Sequence, residues 1–162
     1  MDYTNFTKVE LSCSHCGQRN PDPQLERRTM RHIQDIRTRL AESMPMTSGY
    51  RCPEHPIEAK KLKPGEHSRS ANDIGCDSSK GFRILNEAIA LPYLKLIDAL
   101  LAERDMNGII TPDALDRHLF NAGWDGRRLQ PIFTGIGISQ KKGGPRFIHL
   151  DTRTTMPFVW SY

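Results

Sequence analysis

Two short apolar segments near the C-terminus constrain the fold more than any other feature of the sequence. IFTGIGIS (residues 132–139) and RFIHLDTR (residues 146–153) are separated by QKKGGP, a polar loop with two glycines and a proline. Two strand-length apolar runs joined by a turn-forming loop predict an antiparallel β-hairpin. The apolar face of such a hairpin must be covered by other elements of the same domain.

The second strand of this hairpin carries polar side chains within an apolar run. Because successive strand residues point to opposite faces, His149 and Asp151 share one face, whereas Ile148 and Leu150 share the other. Two interpretations are open at this point. His149 is a core histidine hydrogen-bonded to the neighbouring acid, or a rigid strand presents part of a metal or catalytic site.

The first half of the chain predicts one helix, one strand and a long polar segment. Residues 24–44 repeat apolar side chains at steps of three and four, which is typical of an amphipathic helix. MPMTSGYRCPEHP follows, which predicts a short strand that runs into a turn rich in proline and glycine. Residues 57–81 are polar and irregular, with only a short apolar stretch at residues 71–74.

The second half predicts two further helices. Residues 82–105 have helical periodicity, with an interruption or restart at Pro92. TPDALDRHLFNAG predicts a capped helix with Thr111 at the N-cap, Pro112 at the first position and Gly123 after the end. Helices combined with a small antiparallel sheet predict an α+β fold, and without a linker we expect residues 1–162 to form a single domain.

Composition and charge exclude some classes of protein and leave others open. A net charge of +4 is mild, and the basic residues of the first helix alternate with acids, which favours a solvated face over a nucleic-acid surface. No stretch approaches the ~18 apolar residues of a membrane helix. The N-terminal residues lack a basic start and an apolar core, so we expect cytoplasmic synthesis without a secretion signal. We also expect a monomer.

The four cysteines allow several states. Cys13 and Cys16 have the spacing of half a zinc ribbon, but Cys52 and Cys76 form no second pair of this kind. A four-cysteine structural zinc site, one or two disulfides, and free buried thiols are all compatible with the sequence. A structural zinc at Cys13 and Cys16 is therefore one expectation, and His15 between them is a possible additional ligand.

Three polar residues are candidates for a catalytic zinc site. His67, Asp73 and His149 are of the types that bind catalytic zinc, which takes three protein ligands and leaves one position for water. The metal makes that water more acidic and polarises a substrate carbonyl, and a nearby carboxylate can relay the proton. The spacing alone is a weak signal, because most histidines are structural or exposed.

The order of three motifs resembles a known family. MTSGYRCPEHP, EHSRSANDIG and the pair GIGIS and RFIHLDTR resemble zinc D-alanyl-D-alanine carboxypeptidases and murein endopeptidases, the LAS-type metallopeptidases. FTKVELSCSHCG is similar to the N-terminal segment of some members. This family includes secreted cell-wall enzymes and many phage endolysins. The resemblance covers roughly residues 6–75 and 132–160, and it implies zinc-dependent hydrolysis of peptidoglycan.

The resemblance implies a role for each matching residue. His67, Asp73 and His149 correspond to the zinc ligands, and Arg51 corresponds to an arginine near the carboxylate or carbonyl oxygen of the substrate. A guanidinium suits either task because it stays charged and donates in a fixed fork. Trp160 resembles a family aromatic residue and is expected to pack behind the metal-bearing strand. The other histidines, His32, His55 and His118, are interpreted as structural or surface residues.

The sequence departs from the family pattern in three ways. Gly65 stands where the family has a serine, and five residues instead of six separate His67 from Asp73. Arg146 occupies the position of a catalytic acid in several branches and cannot act as a base. Asp151 is therefore predicted to be a site residue, either as the general base or as the acceptor that orients His149.

The functional expectation is a zinc peptidase that acts on the stem peptides of peptidoglycan. Glu66 and Glu54 are weaker candidates for its general base. Without a signal sequence, a phage or prophage lysin is favoured, released by a permeabilising partner or carried in a virion. Two alternatives are a non-catalytic phage protein with the same fold, and a small nucleic-acid binder built on Cys13 and Cys16.

Overall fold

The computed structural model describes residues 3–162, in two compact units. The first contains the residues up to Asn86 together with Phe133–Tyr162, and the second is Glu87–Ile132. Within the described residues, four α-helices accompany one five-stranded, mostly antiparallel sheet. The α+β class is therefore confirmed, whereas a single domain over residues 1–162 stays a prediction.

The elements follow one another along the chain without internal repetition. They are α1 (Lys8–Leu11), α2 (Pro23–Leu40), β1 (Met46–Ser48), a 3-10 turn (Glu66–Ser68), β2 (Asn72–Gly75), α3 (Ser78–Asn107), α4 (Pro112–Asn121), β3 (Gly135–Ser139), β4 (Phe147–Asp151) and β5 (Phe158–Ser161).

The sheet has the strand order β1-β2-β4-β3-β5. β3 and β4 pair antiparallel, which confirms the hairpin. β2 pairs antiparallel with both β1 and β4, whereas β5 lies parallel to β3. The sequence did not predict β2 and β5 as strands. β2 is only four residues long, and its extended conformation is stabilised by hydrogen bonds to a strand on each side.

The two faces of the sheet differ in chemistry. Ile74, Ile148 and Leu150 are fully or almost fully buried on one face. The opposite face carries Asp73 and His149, which are directly paired across β2 and β4. The alternation predicted for β4 therefore holds, and it separates the apolar core from a polar site on the same strand.

Helix α2 matches its prediction closely and encloses part of the core of the first unit. The Asp22 side chain accepts hydrogen bonds from the amides of Gln24 and Leu25, and Pro23 occupies the first turn. The buried side chains of α2 include Met30, Ile33 and Ile36. The Thr29 hydroxyl lies 2.8 Å from that of Thr152, just beyond β4.

The last two helices of the chain correct one prediction and confirm another. α3 runs without a break from Ser78 to Asn107, so the interruption predicted at Pro92 is wrong; proline removes only its own amide donor, and the other hydrogen bonds of a long helix persist. α4 begins as predicted, with the Thr111 side chain capping the amide of Ala114. Glu103 of α3 accepts from His118 of α4 at 3.0 Å. No helix within residues 3–162 is long and apolar enough to span a membrane.

Candidate metal centre

Three predicted zinc ligands converge on the polar face of the sheet. His67 lies in the 3-10 turn, Asp73 on β2 and His149 on β4. One possible ligand atom from each lies within 4.8 Å of the others. His149 Nδ1 is 2.8 Å from Asp73 Oδ1, and His67 Nε2 is 3.2 Å from Asp73 Oδ2. All three residues are at most 6% exposed.

The shortened spacing between the first two ligands is compatible with this convergence. The 3-10 turn at Glu66–Ser68 folds tightly, because the amides of Ser70 and Ala71 both donate back to the Glu66 carbonyl, at 2.9 and 3.0 Å. The chain enters β2 immediately afterwards, so no further residue is needed to bring Asp73 opposite His149. His67 is oriented by its own Nδ1, which lies 2.9 Å from the Gly49 carbonyl oxygen.

His149 has a carboxylate on each side of its ring. Nδ1 faces Asp73, and Nε2 lies 3.0 Å from Asp151 Oδ2. Asp151 is completely buried and is bound by Arg153, whose Nε lies 2.8 and 3.0 Å from the two carboxylate oxygens. The Arg153 amide also donates to Asp151 Oδ1 at 3.1 Å. These contacts fit a role of Asp151 as the acceptor that orients His149, because its oxygens face Arg153 and the far side of the His149 ring. A role of Asp151 as general base stays a prediction.

The electrostatics of the trio follow from these contacts. Burial opposes ionisation of Asp73, but hydrogen bonds from His149 and His67 outweigh it and hold the pKa of Asp73 well below its usual range. Burial likewise opposes protonation of His149, but Asp151 and Asp73 outweigh it and raise the pKa of His149 above its usual value. In the metal-free protein a proton on His149 therefore competes with a cation for the same site.

Two glycines of β3 make room for the site. Gly135 lies opposite Asp151 in the sheet, and a Cβ at this position would lie 2.6 Å from Asp151 Cγ. A Cβ at Gly137 would lie 2.7 Å from the ring of Trp160. The Trp160 ring is centred 5.2 Å from the His149 ring, on the face that carries the site. Trp160 therefore lies beside the ligand, not behind the strand as expected from sequence.

Arg51 reaches the same cluster from the loop after β1. Its Nη2 lies 3.4 Å from Asp73 Oδ2, and its Nε donates to the Ser48 hydroxyl at 3.0 Å. Its backbone amide donates to the His67 carbonyl at 2.9 Å, which ties the loop to the 3-10 turn. Arg51 thus lies next to a candidate ligand; its expected role in binding the substrate stays a prediction.

Sequence reasoning missed two supporting residues. Glu58 is 4% exposed, accepts from Lys61 and from the Gly65 amide at 2.7 and 2.8 Å, and lies 3.7 Å from Arg51 Nη1. Nothing in its polar surroundings in the sequence signals this burial. Arg153, in contrast, follows Asp151 by two residues, and that period-two spacing is the signal that could have identified it.

The weaker candidates for a general base lie outside this network. Glu54 is exposed, and Glu66 is half-buried at 3.4 Å from Arg69. Arg146 precedes β4 and is exposed. A groove of about 550 Å³ borders the site; its lining includes Ser48–Arg51 and part of α1, but none of the three candidate ligands.

A second group of possible metal ligands lies near the N-terminus. The sulfur atoms of Cys13, Cys16 and Cys52 lie within 4.8 Å of one another. Cys76 is elsewhere, with its sulfur 3.8 Å from Gln140 Nε2, and all four cysteines are free thiols. The structure therefore adds Cys52 to the pair predicted from sequence and separates Cys76 from it.

Comparison with known proteins gave no relative. No protein-family model matches the chain, and no significant match was found among curated proteins or solved structures. The family resemblance is thus neither supported nor refuted by these comparisons. Any functional conclusion depends on the geometry of the site.

Proposed function

We propose that this chain is a zinc-dependent peptidase that hydrolyses a peptide bond in bacterial peptidoglycan, as a carboxypeptidase or endopeptidase, in the setting of a phage or prophage lysin. The observation that carries the proposal is the convergence of His67, Asp73 and His149 from three separate elements. Two imidazoles and one carboxylate form the donor set of many catalytic zinc sites.

The supports of the two histidines strengthen this interpretation. The second nitrogen of each ring is already bonded, His67 Nδ1 to the Gly49 carbonyl and His149 Nε2 to Asp151. The remaining nitrogen of each ring lies next to Asp73. Such outer contacts set the tautomer and orientation of histidine ligands. A bound Zn²⁺ would supply a Lewis acid that activates water and polarises a carbonyl group.

Arg51 is the residue proposed to bind the substrate. Its guanidinium is held by Ser48 and lies near Glu58 and Asp73, so its position is set before a substrate arrives. A fixed guanidinium fits a carboxylate or a peptide carbonyl oxygen. The neighbouring groove, of about 550 Å³, has space for an extended peptide that reaches Arg51. A net charge of +4 favours approach to an anionic cell wall.

Asp151 is proposed as a positioning residue. Both of its oxygens are used by Arg153, and one also lies beside His149 Nε2. In this role Asp151 and Arg153 hold the imidazole of His149 at a fixed angle and raise its basicity as a ligand. The Trp160 ring packs against the His149 ring and supports this orientation.

The experiment is digestion of purified peptidoglycan by the full chain with zinc, followed by mass spectrometry of the muropeptides. We expect new fragments from the wild type and none from His149→Ala. His118→Ala is the matched control, because His118 pairs with Glu103 in the second unit and lies outside the site. Its fragments should equal those of the wild type.

Metal content separates the proposal from its main alternative. We expect zinc in the purified wild type and one zinc fewer per chain in His149→Ala, with both proteins folded. If the wild-type protein is folded, releases no fragments and has the same zinc content as His149→Ala, the trio does not bind metal. The chain would then be a non-catalytic protein with this fold.

A further inference from the structure

A second cluster of metal-binding side chains lies among residues that the proposed peptidase chemistry does not use. Cys13 and Cys16 come from the N-terminal segment, and Cys52 comes from the loop after β1, yet their sulfur atoms lie within 4.8 Å of one another. Cys13 and Cys52 are 1% and 5% exposed. A disulfide between any two of them would leave the third thiol unused, whereas one metal ion uses all three.

The backbone around Cys13 and Cys16 forms a compact turn. The Gly17 amide donates to the Cys13 carbonyl at 2.8 Å, and the Cys13 amide donates to the Gln18 carbonyl at the same distance. Gly17 has a φ of +72°, a conformation that glycine adopts without strain. This turn brings two cysteines separated by two residues to the same side, as structural zinc sites require.

Cys52 is held against this turn from the other segment. Its backbone amide donates to the Cys13 sulfur at 3.3 Å. A hydrogen bond to the sulfur favours the thiolate, which is the form that binds metal. The contact therefore both positions the third cysteine and prepares the first for metal binding.

His15 is the best candidate for a fourth ligand, although it does not lie within 4.8 Å of all three sulfurs. Its Nδ1 lies 3.7 Å from Cys52 Sγ, close to the ~3.6 Å expected between a nitrogen and a sulfur bound to one tetrahedral zinc ion. The His15 ring is exposed, so it can adjust its angle at little cost in packing. His55 is less suitable, because its Nδ1 accepts from the Ile57 amide at 3.2 Å and its Nε2 lies 3.4 Å from the Ser14 hydroxyl.

We propose that Cys13, Cys16, Cys52 and His15 bind a structural Zn²⁺ that fastens the N-terminal segment to the loop that carries Arg51. Three thiolates and one imidazole in tetrahedral arrangement select zinc over harder cations. Four protein ligands close the site, so it holds no water for catalysis. Because Cys52 follows Arg51 directly, the ion also restrains the position of the Arg51 side chain.

Thiol reactivity of the wild-type protein is the first test, and it does not depend on peptidase activity. In the zinc-loaded chain, a thiol reagent in excess should modify one thiol, that of the half-buried Cys76, and leave the three zinc-bound cysteines unmodified. Addition of a strong chelator should make three further thiols reactive. If the number of reactive thiols is the same before and after chelation, the cluster does not bind metal.

Cobalt substitution locates the site. In a His149→Ala background, where the proposed catalytic site is removed, Co²⁺ should still produce an intense thiolate-to-cobalt charge-transfer band. Cys16→Ser should remove that band and one bound metal, whereas Cys76→Ser should keep both. An unchanged band in Cys16→Ser would overturn the assignment. Failure of the peptidase proposal would leave the cobalt–thiolate band intact, so the two failures can be told apart.

His15→Ala tests the fourth ligand in a variant that keeps all three cysteines. We expect its zinc affinity to fall by more than the ~10–100-fold that follows loss of an outer contact to a ligand. His55→Ala is the matched control and should bind zinc like the wild type. Equal affinities in His15→Ala and the wild type would exclude His15 as a ligand.

Discussion

The two candidate metal clusters of this chain differ in their ligands, their scaffold and their surroundings. His67, Asp73 and His149 lie on or beside paired strands, and each histidine has its second nitrogen bonded. Cys13, Cys16 and Cys52 lie on loops, and the His15 ring lies beside Cys52. Three nitrogen and oxygen ligands leave a coordination position open for chemistry, whereas three sulfurs and an imidazole close it. One small chain thus provides separate ligand sets for a proposed catalytic ion and a proposed structural one.

The largest expected effect is a difference in the stability of variants of the two clusters. Cys13→Ser should lower the free energy of unfolding by several kcal/mol, because structural zinc in isolated fingers contributes roughly 10–16 kcal/mol. His67→Ala should abolish peptidase activity with a smaller loss of stability. Urea unfolding of the zinc-loaded variants, with Cys76→Ser as the control, measures the difference. Equal losses in Cys13→Ser and His67→Ala would remove the proposed division of roles.

A methyl group added beneath the strand-borne cluster tests its rigid support. Gly135→Ala should lower the free energy of unfolding by about 1–3 kcal/mol, because the new Cβ would meet the carboxyl group of Asp151. Overpacking of a rigid site has an effect of this size. Thermal unfolding and peptidase activity should both decrease. Gly144→Ala is the control, since its nearest atom would lie 3.7 Å away. Wild-type stability in Gly135→Ala would show that Asp151 is free to move.

Asp151→Asn separates the orienting role from the role of general base. If Asp151 orients His149, the substitution should lower the zinc affinity about 10–100-fold and lower the activity by a similar factor. As a general base, its removal should lower kcat strongly at unchanged zinc affinity and eliminate the acid limb of the pH profile. Zinc titration and pH–rate profiles distinguish the two. Asp116→Asn, on the exposed side of α4, is the matched control.

The smallest effect concerns pH and the metal-free protein. The pKa of His149 is raised above its ordinary value near 6.5, so its contribution to stability is complete below about pH 6.5 and is lost as the pH rises through the folded-state pKa. Asp73 and Asp151 have lowered pKa values and stay ionised in this window. For one proton, the free energy of unfolding cannot decline by more than about 1.4 kcal/mol per pH unit. Urea midpoints at several pH values measure this decline, which should be absent in His149→Gln.

The fold was predictable where local signals were strong. α2 has a regular apolar periodicity, α4 carries capping residues, and β3 and β4 are apolar runs on either side of a turn, so each was predicted to within a few residues. β2 has a single large apolar side chain, Ile74, and becomes a strand because β1 and β4 both pair with it. β5 is largely exposed and is positioned by parallel pairing with β3, which no local pattern indicates.

The sequence by itself determined which residue types were available for metal binding and that His149 and Asp151 share a strand face, since side-chain alternation is a local property. Only the tertiary structure decided that Asp73 lies opposite His149, that Cys52 joins Cys13 and Cys16, and that Cys76 does not. Glu58 and Arg153 likewise gained their roles from burial beside charged partners. Contacts between residues far apart in sequence depend on strand register and loop path, which are set by the packing of the whole unit.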